Sequence, residues 1–385
     1  MPGSNYPREF LRVLKPELPR MLAMLRRFVE AESPSLEKAA ADRCCAVIGG
    51  EWKRLGVRVE RIAQKHRGDH LRITYWPEKS RPAGQLLVLG HYDTVYSSGT
   101  LAKMPFRVKG GRAYGPGVFD MKAGIVQALF ALQAIQQLHV ELRKRIVFLW
   151  TSDEEIGSES SRKLFEGEAR RSDAVFVLEP SFGPRGLLKT GRKGVGEAEI
   201  IVHGRASHAG LAPEEGINAI HELARQLARM EKWNDYRRGI TVNAGIVEGG
   251  TRTNVIPERA RAVIDLRALR VQDMRKLEPR LQSLRPMQRG ARLEIHAGFD
   301  RPPLEHKMSA ALFARAKSLA AQLGLNLGEC TVGGGSDGSF TAALGVPTLD
   351  GLGAVGDGAH SANEYILINR MPERAALLAA LLFDS

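Results

Sequence analysis

Cysteine is scarce in this chain. Only Cys44, Cys45 and Cys330 occur among 385 residues, two of them adjacent, and there is no C-x-x-C pair. That excludes a disulfide framework and a cysteine-built metal site. No apolar run approaches the roughly 20 residues that span a bilayer. The opening stretch, MPGSNYPREFLRVLKPELPR, is charged throughout and lacks an apolar core of leader length. These absences point to a cytoplasmic protein with no membrane partner. Repeats and low-complexity segments are missing as well. Basic residues outnumber acidic ones, 56 to 43 for a net charge of +13, but in scattered pairs such as Arg26-Arg27 and Arg170-Arg171, with no aromatic-interleaved tract. The excess is expected to be a solvated basic surface, and no nucleic-acid partner is expected. A phosphate loop is absent too. GRKGVG at 191–196 has its glycines in the wrong order and runs into a strand instead of opening a helix.

What is present is a core. Hydrophobic residues make up 43% of the chain, enough for one large domain or two ordinary ones. QLLVLG, RIVFLWTS (Arg145–Ser152) and AVFVLEP (Ala174–Pro180) are short buried-strand runs, and AGIVQALFALQAIQQL (Ala123–Leu138) is a helix. Buried strands separated by helices imply an α/β fold with a mostly parallel sheet. Near residue 189 the style changes. GEAEIIVHG, GITVNAGIVEGG, ERARAVIDLRAL and ARLEIHAGF alternate like half-exposed strands, and GINAIHELARQLARMEKW is an amphipathic helix. Residues 189–300 therefore predict a small α+β domain inserted into a discontinuous larger one, 1–188 and 301–385.

The chemistry gathers where apolar strands end. In GHYDTVY, His91 and Asp93 are two apart, so both project to one side if the strand continues that far. A ligating histidine commonly gives its second ring N–H to a carboxylate, which casts Asp93 as the orienter of His91. Alone, the pair fits a histidine satisfied by its own turn better than it fits a ligand. GPGVFDMKAG puts Asp120 in a glycine-rich turn, TSDEEIGS puts Glu154 and Glu155 just past a strand, VLEPS puts Glu179 at another strand end, and GDGAHSANE puts His360 in a loop. Open α/β sheets bind ligands at the carboxyl edge of their strands. There, two histidines and at least three acids repel one another less around a cation, and this donor set suits zinc, cobalt or manganese. Adjacent glutamates at a strand end point in different directions. One can ligate while the other takes a proton from an attacking water, the division of labour in metal-assisted hydrolysis.

The ordered set GHYDTV, GPGVFDMKAG, TSDEEIGS, LEPS, GRASHAG, GGTRTNVIP, DLRA, GGGSDG and GAHSANE resembles the zinc exopeptidase family of glutamate carboxypeptidase, acetylornithine deacetylase and succinyl-diaminopimelate desuccinylase. The likeness runs from about Leu22 to the C-terminus and is greatest to bacterial glutamate carboxypeptidases. It implies two Zn2+ per subunit, with Co2+ or Mn2+ as substitutes. Asp120 is shared, His91 and Glu179 complete one site, and Glu155 and His360 complete the other. It also implies Glu154 as general base, Asp93 as orienter of His91, and a cis peptide after Asp120. In the inserted domain it implies that His208 stabilises the oxyanion from the partner subunit of a homodimer. Asn254 and Arg267 would hold the substrate, and Gly334 and Gly335 would bring backbone N–H groups to it. The implied activity is a carboxypeptidase that cleaves an amide beside a free carboxylate and releases C-terminal glutamate or aspartate. An N-acyl-amino-acid deacylase of the acetylornithine type or a dipeptidase would use the same residues. A non-catalytic, metal-stabilised binding protein would have no need of Glu154.

Overall fold

The structure is a computed structural model that describes residues 6–76 and 81–385. It divides into two compact units. The first comprises residues up to Thr190, then His306–Thr331 and Ser336–Ser385. The second comprises Gly191–Glu305 and Val332–Gly335. The sequence reading drew these limits at 189 and 300. The later limit follows from strand pairing, because Arg192 and Leu304 still exchange backbone hydrogen bonds beyond the two prolines Pro302 and Pro303.

The first unit opens with α1 (Tyr6–Leu14), α2 (Leu18–Glu30) and α3 (Lys38–Lys53), followed by β1 (Arg58–Ile62), β2 (His70–Tyr75) and β3 (Gln85–His91). Then come α4 (Ala123–Gln137), β4 (Arg145–Thr151), α5 (Arg162–Ala169) and β5 (Ala174–Val177). The second unit holds β6 (Gly194–His203), α6 (Ala219–Glu231), β7 (Thr241–Gly249), β8 (Arg259–Ala268), α7 (Val271–Gln282) and β9 (Arg292–Arg301). The chain returns to the first unit with α8 (His306–Gln322), α9 (Gly338–Ala343), β10 (Thr348–Leu349) and α10 (Met371–Asp384).

The main sheet has the order β1-β2-β4-β3-β5-β10. The four strands β4-β3-β5-β10 are parallel, and β1 and β2 add an antiparallel edge. β3 is buried along its whole length. Leu86 and Val88 join the core under α1, α2, α4, α8 and α10, whereas Leu87 and Leu89 join a second core under α5 and α9. A strand covered on both faces must be apolar on both, which is why it reads as a continuous run without alternation. One helix among the described residues, Val118–Gln137, has the length and apolarity to cross a membrane, but 89% of its apolar window is buried in this core.

The second unit is a four-stranded antiparallel sheet, β7-β8-β6-β9, with α6 and α7 sharing its core. β8 alternates between fully and partly buried residues, the pattern of a sheet with one covered face.

A close approach fixes how α4 enters the sheet. A Cβ at Gly124 would lie 2.6 Å from the carbonyl oxygen of Leu178, which precedes Glu179. Backbone cannot yield there without moving one of the two segments that carry site acids. Gly124→Ala is therefore expected to destabilise the first unit by about 1–3 kcal/mol, the usual range for overpacking, measured as a lower denaturation midpoint with weakened metal uptake. An unchanged midpoint would show that the approach is looser than drawn.

Candidate metal centre and active site

The strand ends bring the acids together. β3 stops at His91, and its parallel neighbours β4 and β5 stop at Thr151 and Val177, so Glu154, Glu155 and Glu179 follow at the same edge. Asp120 arrives from the turn before α4, across a cis Asp120–Met121 peptide bond. His360 arrives from the loop after Asp357, with its backbone in the left-handed region at φ 61°. Residues other than glycine are uncommon there, though histidine is among those that tolerate it.

Two triads result, with Asp120 in both: His91, Asp120 and Glu179, and Asp120, Glu155 and His360. In each, one ligand atom per residue lies within 4.8 Å of the others. His91 Nε2 stands 3.3 Å from Asp120 Oδ1 and 3.4 Å from Glu179 Oε1. His360 Nε2 stands 3.5 Å from Asp120 Oδ2 and 3.1 Å from Glu155 Oε1. The two Asp120 oxygens thus face different triads. Oδ1 is buried and has no hydrogen-bond partner.

Burial opposes charge on His91, yet Asp120, Asp93 and Glu179 outweigh it and hold the ring well above the ordinary histidine range. Hydrogen bonds to Asp120 and Glu155 pull His360 up to about 10. Burial drives the Glu155 carboxyl up to about 7, despite the hydrogen bond from His360. Three acids in so small a space borrow protons to offset their charge, and divalent cations supply the same offset without protons. The donor set, two imidazoles and carboxylates around an orphaned Asp120 oxygen, fits a metal centre.

Asp93 is fully buried and holds several parts of the site at once. Its backbone oxygen is 3.1 Å from His91 Nδ1, and its carboxylate takes a hydrogen bond of 2.7 Å from the Ser35 hydroxyl. The same carboxylate accepts the backbone N–H groups of Glu154 and Glu155, each at 3.3 Å. Asp93 thus touches the His91 ring and holds the turn that carries both glutamates.

Sequence reasoning missed Glu364. This glutamate has no exposed surface, and its carboxylate accepts the backbone N–H groups of Gly117 (2.9 Å), Phe119 (2.7 Å) and Asp120 (2.9 Å) and the Tyr96 hydroxyl (2.8 Å). Tyr96 also reaches the carbonyl of Ser361, next to His360. Glu364 thereby ties the Asp120 turn to the His360 loop. The only sequence signal was its place four residues after His360 in GAHSANE.

The remaining expected residues belong to the second unit. His208 is exposed, and its Nδ1 accepts the N–H groups of Gly210 and Leu211 at 3.1 Å. Its turn pairs with the Asn254 turn through the His208–Val255 bridge and the Ala209 N–H to Asn254 carbonyl bond of 2.9 Å. Arg267 forks onto Asp265 at 2.9–3.1 Å and donates to the Gly333 carbonyl at 2.9 Å. Three of its five N–H groups are thus used, and one on each terminal nitrogen remains. The carbonyls of Gly334 and Gly335 accept from Arg192 at 3.2 and 2.8 Å, which fixes this glycine segment.

Comparison with known proteins agrees with this geometry. Residues 87–384 match the model of peptidase family M20/M25/M40. Carboxypeptidase G2 of a Pseudomonas strain is 32% identical over 96% of this chain and 90% of its own length. A succinyl-diaminopimelate desuccinylase of Stenotrophomonas maltophilia is 28% identical over 79% of this chain and 85% of its own. Among solved structures, the aminopeptidase PepT of Bacillus cereus superposes with a TM-score of 0.82 over 95% of this chain and 98% of its own. At 22% identity, that likeness speaks for the fold alone. The chain thus belongs to peptidase family M20/M25/M40 and is a metallohydrolase acting on a peptide or small-molecule substrate.

Proposed function

We propose that the chain is a two-zinc carboxypeptidase that cleaves an amide beside a free carboxylate and releases a C-terminal glutamate or aspartate. The observation that carries this reading is the pair of triads sharing Asp120. His91, Asp120 and Glu179 would hold one ion, and Asp120, Glu155 and His360 the other. When bound, the ions polarise the scissile carbonyl and make water more acidic. Glu154, presented by Asp93 beside the second triad, takes the proton of the attacking water and delivers it to the leaving amine. Arg267, steadied by Asp265, offers its two remaining N–H groups to the substrate carboxylate, and a planar fork matches a carboxylate well. Asn254 and the Gly334–Gly335 backbone assist it. His208 supplies an oxyanion donor to the partner subunit of a homodimer formed through the second unit. The likeness to carboxypeptidase G2 favours carboxypeptidase action, and the motif resemblance to glutamate carboxypeptidases favours an acidic leaving residue. The desuccinylase relative favours a second reading, deacylation of N-acyl amino acids. The scarcity of cysteine suits the cytoplasm.

The test strips the protein with chelator, refills it with zinc, cobalt or manganese, and offers N-acylglutamate, N-acylaspartate, N-acetylornithine and dipeptides. Activity is expected to vanish on stripping and to return with metal at two ions per chain, with the acidic N-acyl amino acids cleaved fastest. Fastest cleavage of N-acetylornithine would favour the deacylase, and no metal uptake would end the reading.

A further inference from the structure

His70 has no exposed surface and belongs to neither triad. It opens β2, which runs antiparallel to β4 with Leu71 opposite Trp150, so the start of β2 lies beside the end of β4. The residues before it lie against both segments that lead to the site. The Asp69 carbonyl accepts the hydroxyl of Tyr92, which stands between His91 and Asp93 in the chain, and the Gly68 carbonyl accepts the hydroxyl of Ser152. A Cβ at Gly68 would lie 2.5 Å from Ala41 Cβ, 2.9 Å from the Tyr92 hydroxyl and 3.1 Å from Ser152 Cβ, so only glycine allows this approach.

The contacts of the ring settle where its proton sits. The Ser152 hydroxyl gives its one hydrogen to Gly68. Toward His70 Nδ1, 3.2 Å away, it can only accept, so Nδ1 carries the proton. Burial holds the ring below the ordinary histidine range despite Asp153, Asp93 and Asp69, which leaves it neutral near pH 7 with Nε2 bare. Nε2 faces the Ser160 hydroxyl at 3.2 Å. That hydroxyl also reaches Asp153 Oδ2 at 2.7 Å, and the Ser160 backbone N–H reaches the same oxygen at 2.7 Å. Asp153 is fully buried, and its Oδ1 has no hydrogen-bond partner among the described residues, so its side chain holds the chain through Oδ2 alone.

Ser152 and Ser160 are the two ends of the turn that carries Glu154 and Glu155. One imidazole therefore bridges both ends, while Asp93 holds the two glutamate N–H groups between them. A displacement of about 1 Å in a catalytic group can cost on the order of 10²-fold in rate, so the brace of such a turn bears on turnover.

We propose that His70 is a positioning residue for Glu154: its ring spans the turn from Ser152 to Ser160 and thereby sets where the Glu154 carboxylate stands. This rests on the base role proposed above for Glu154 and adds the residue that places it.

Two amides divide the ring for the test. Asparagine sets its amide near the place of Nδ1 and leaves Ser160 without the ring, whereas glutamine reaches the place of Nε2. In zinc-refilled enzyme, on the substrate cleaved fastest in the panel above, His70→Asn is expected to lower kcat about tenfold, with KM within about twofold and two ions per chain. His70→Gln is expected to recover to within about threefold of the parent. Ser160→Ala, which leaves β2 untouched, is expected to match His70→Asn and serves if the buried substitution unfolds the protein. A merely structural role would lower the denaturation midpoint and leave kcat per metal-loaded chain unchanged, and that result overturns the inference. The decisive comparison adds Ser160→Ala to Glu154→Gln. The second change is expected to alter kcat by less than about twofold, because its effect passes through the missing carboxylate. A full tenfold fall in that background shows that the brace acts elsewhere and also overturns the inference. If Glu154→Gln by itself keeps activity within a few-fold of the parent, the base role is what fails, and His70 has no base to place.

Discussion

Glu154→Gln should leave two metal ions in each chain and lower kcat by roughly 10²- to 10⁴-fold, the usual contribution of a positioned general base. Glutamine keeps the size of glutamate and leaves the backbone N–H of residue 154 on Asp93 Oδ1. Neither triad includes Glu154, so the ligand atoms are untouched. What is lost is a carboxylate near the centre. Its charge is felt by Glu155, whose carboxyl rises chiefly through burial but also through repulsion by Asp120 and Glu154. Metal analysis and steady-state kinetics on the same preparation separate the outcomes. A fall of only a few-fold would remove Glu154 from the base role, and a loss of metal would make it a ligand.

Asp120→Asn should do the reverse and strip the centre. Each carboxylate oxygen of Asp120 faces a different histidine, Oδ1 toward His91 at 3.3 Å and Oδ2 toward His360 at 3.5 Å. An asparagine keeps one acceptor and turns an NH2 group toward the other side. At least one ion per chain is expected to be lost on dialysis, with kcat reduced by more than about 10³-fold because the residues of such a site act as a unit. His360→Ala is the control. It should cost the ion of the more open triad, where His360 is 49% exposed, and spare that of the buried His91 triad. Two ions retained in Asp120→Asn would break the shared-aspartate arrangement.

The residues that bear chemistry were legible because they end apolar runs. His91, Glu154, Glu155 and Glu179 are found by locating where β3, β4 and β5 stop, and short continuous apolar runs locate those strands. Other features depend on partners far away in the chain. Glu364 bonds to backbone about 245 residues earlier, and nothing within a window of local sequence registers that. The placement of Val332–Gly335 with the second unit depends on Arg192, about 140 residues earlier. The helix α1 escaped notice because its short apolar side, Phe10 and Leu14, sits among charges and is secured by α10 at the far end of the chain.

That last contact bears on how the protein is made. During synthesis the chain emerges from the ribosome N-terminus first, and domains generally fold as their segments become available. Almost all of the second unit lies in one continuous stretch, Gly191–Glu305, and can fold while translation continues. The first unit cannot. β10 completes its sheet, α10 covers α4 and α1, and both belong to the last tenth of the chain. His360 and Glu364 arrive in the same stretch. Until then α4, apolar around its circumference, stays uncovered on the side that α10 will occupy. The first unit therefore stays open after the continuous stretch of the second unit has been made. Premature termination even a few dozen residues from the end would release that open form instead of a weaker enzyme.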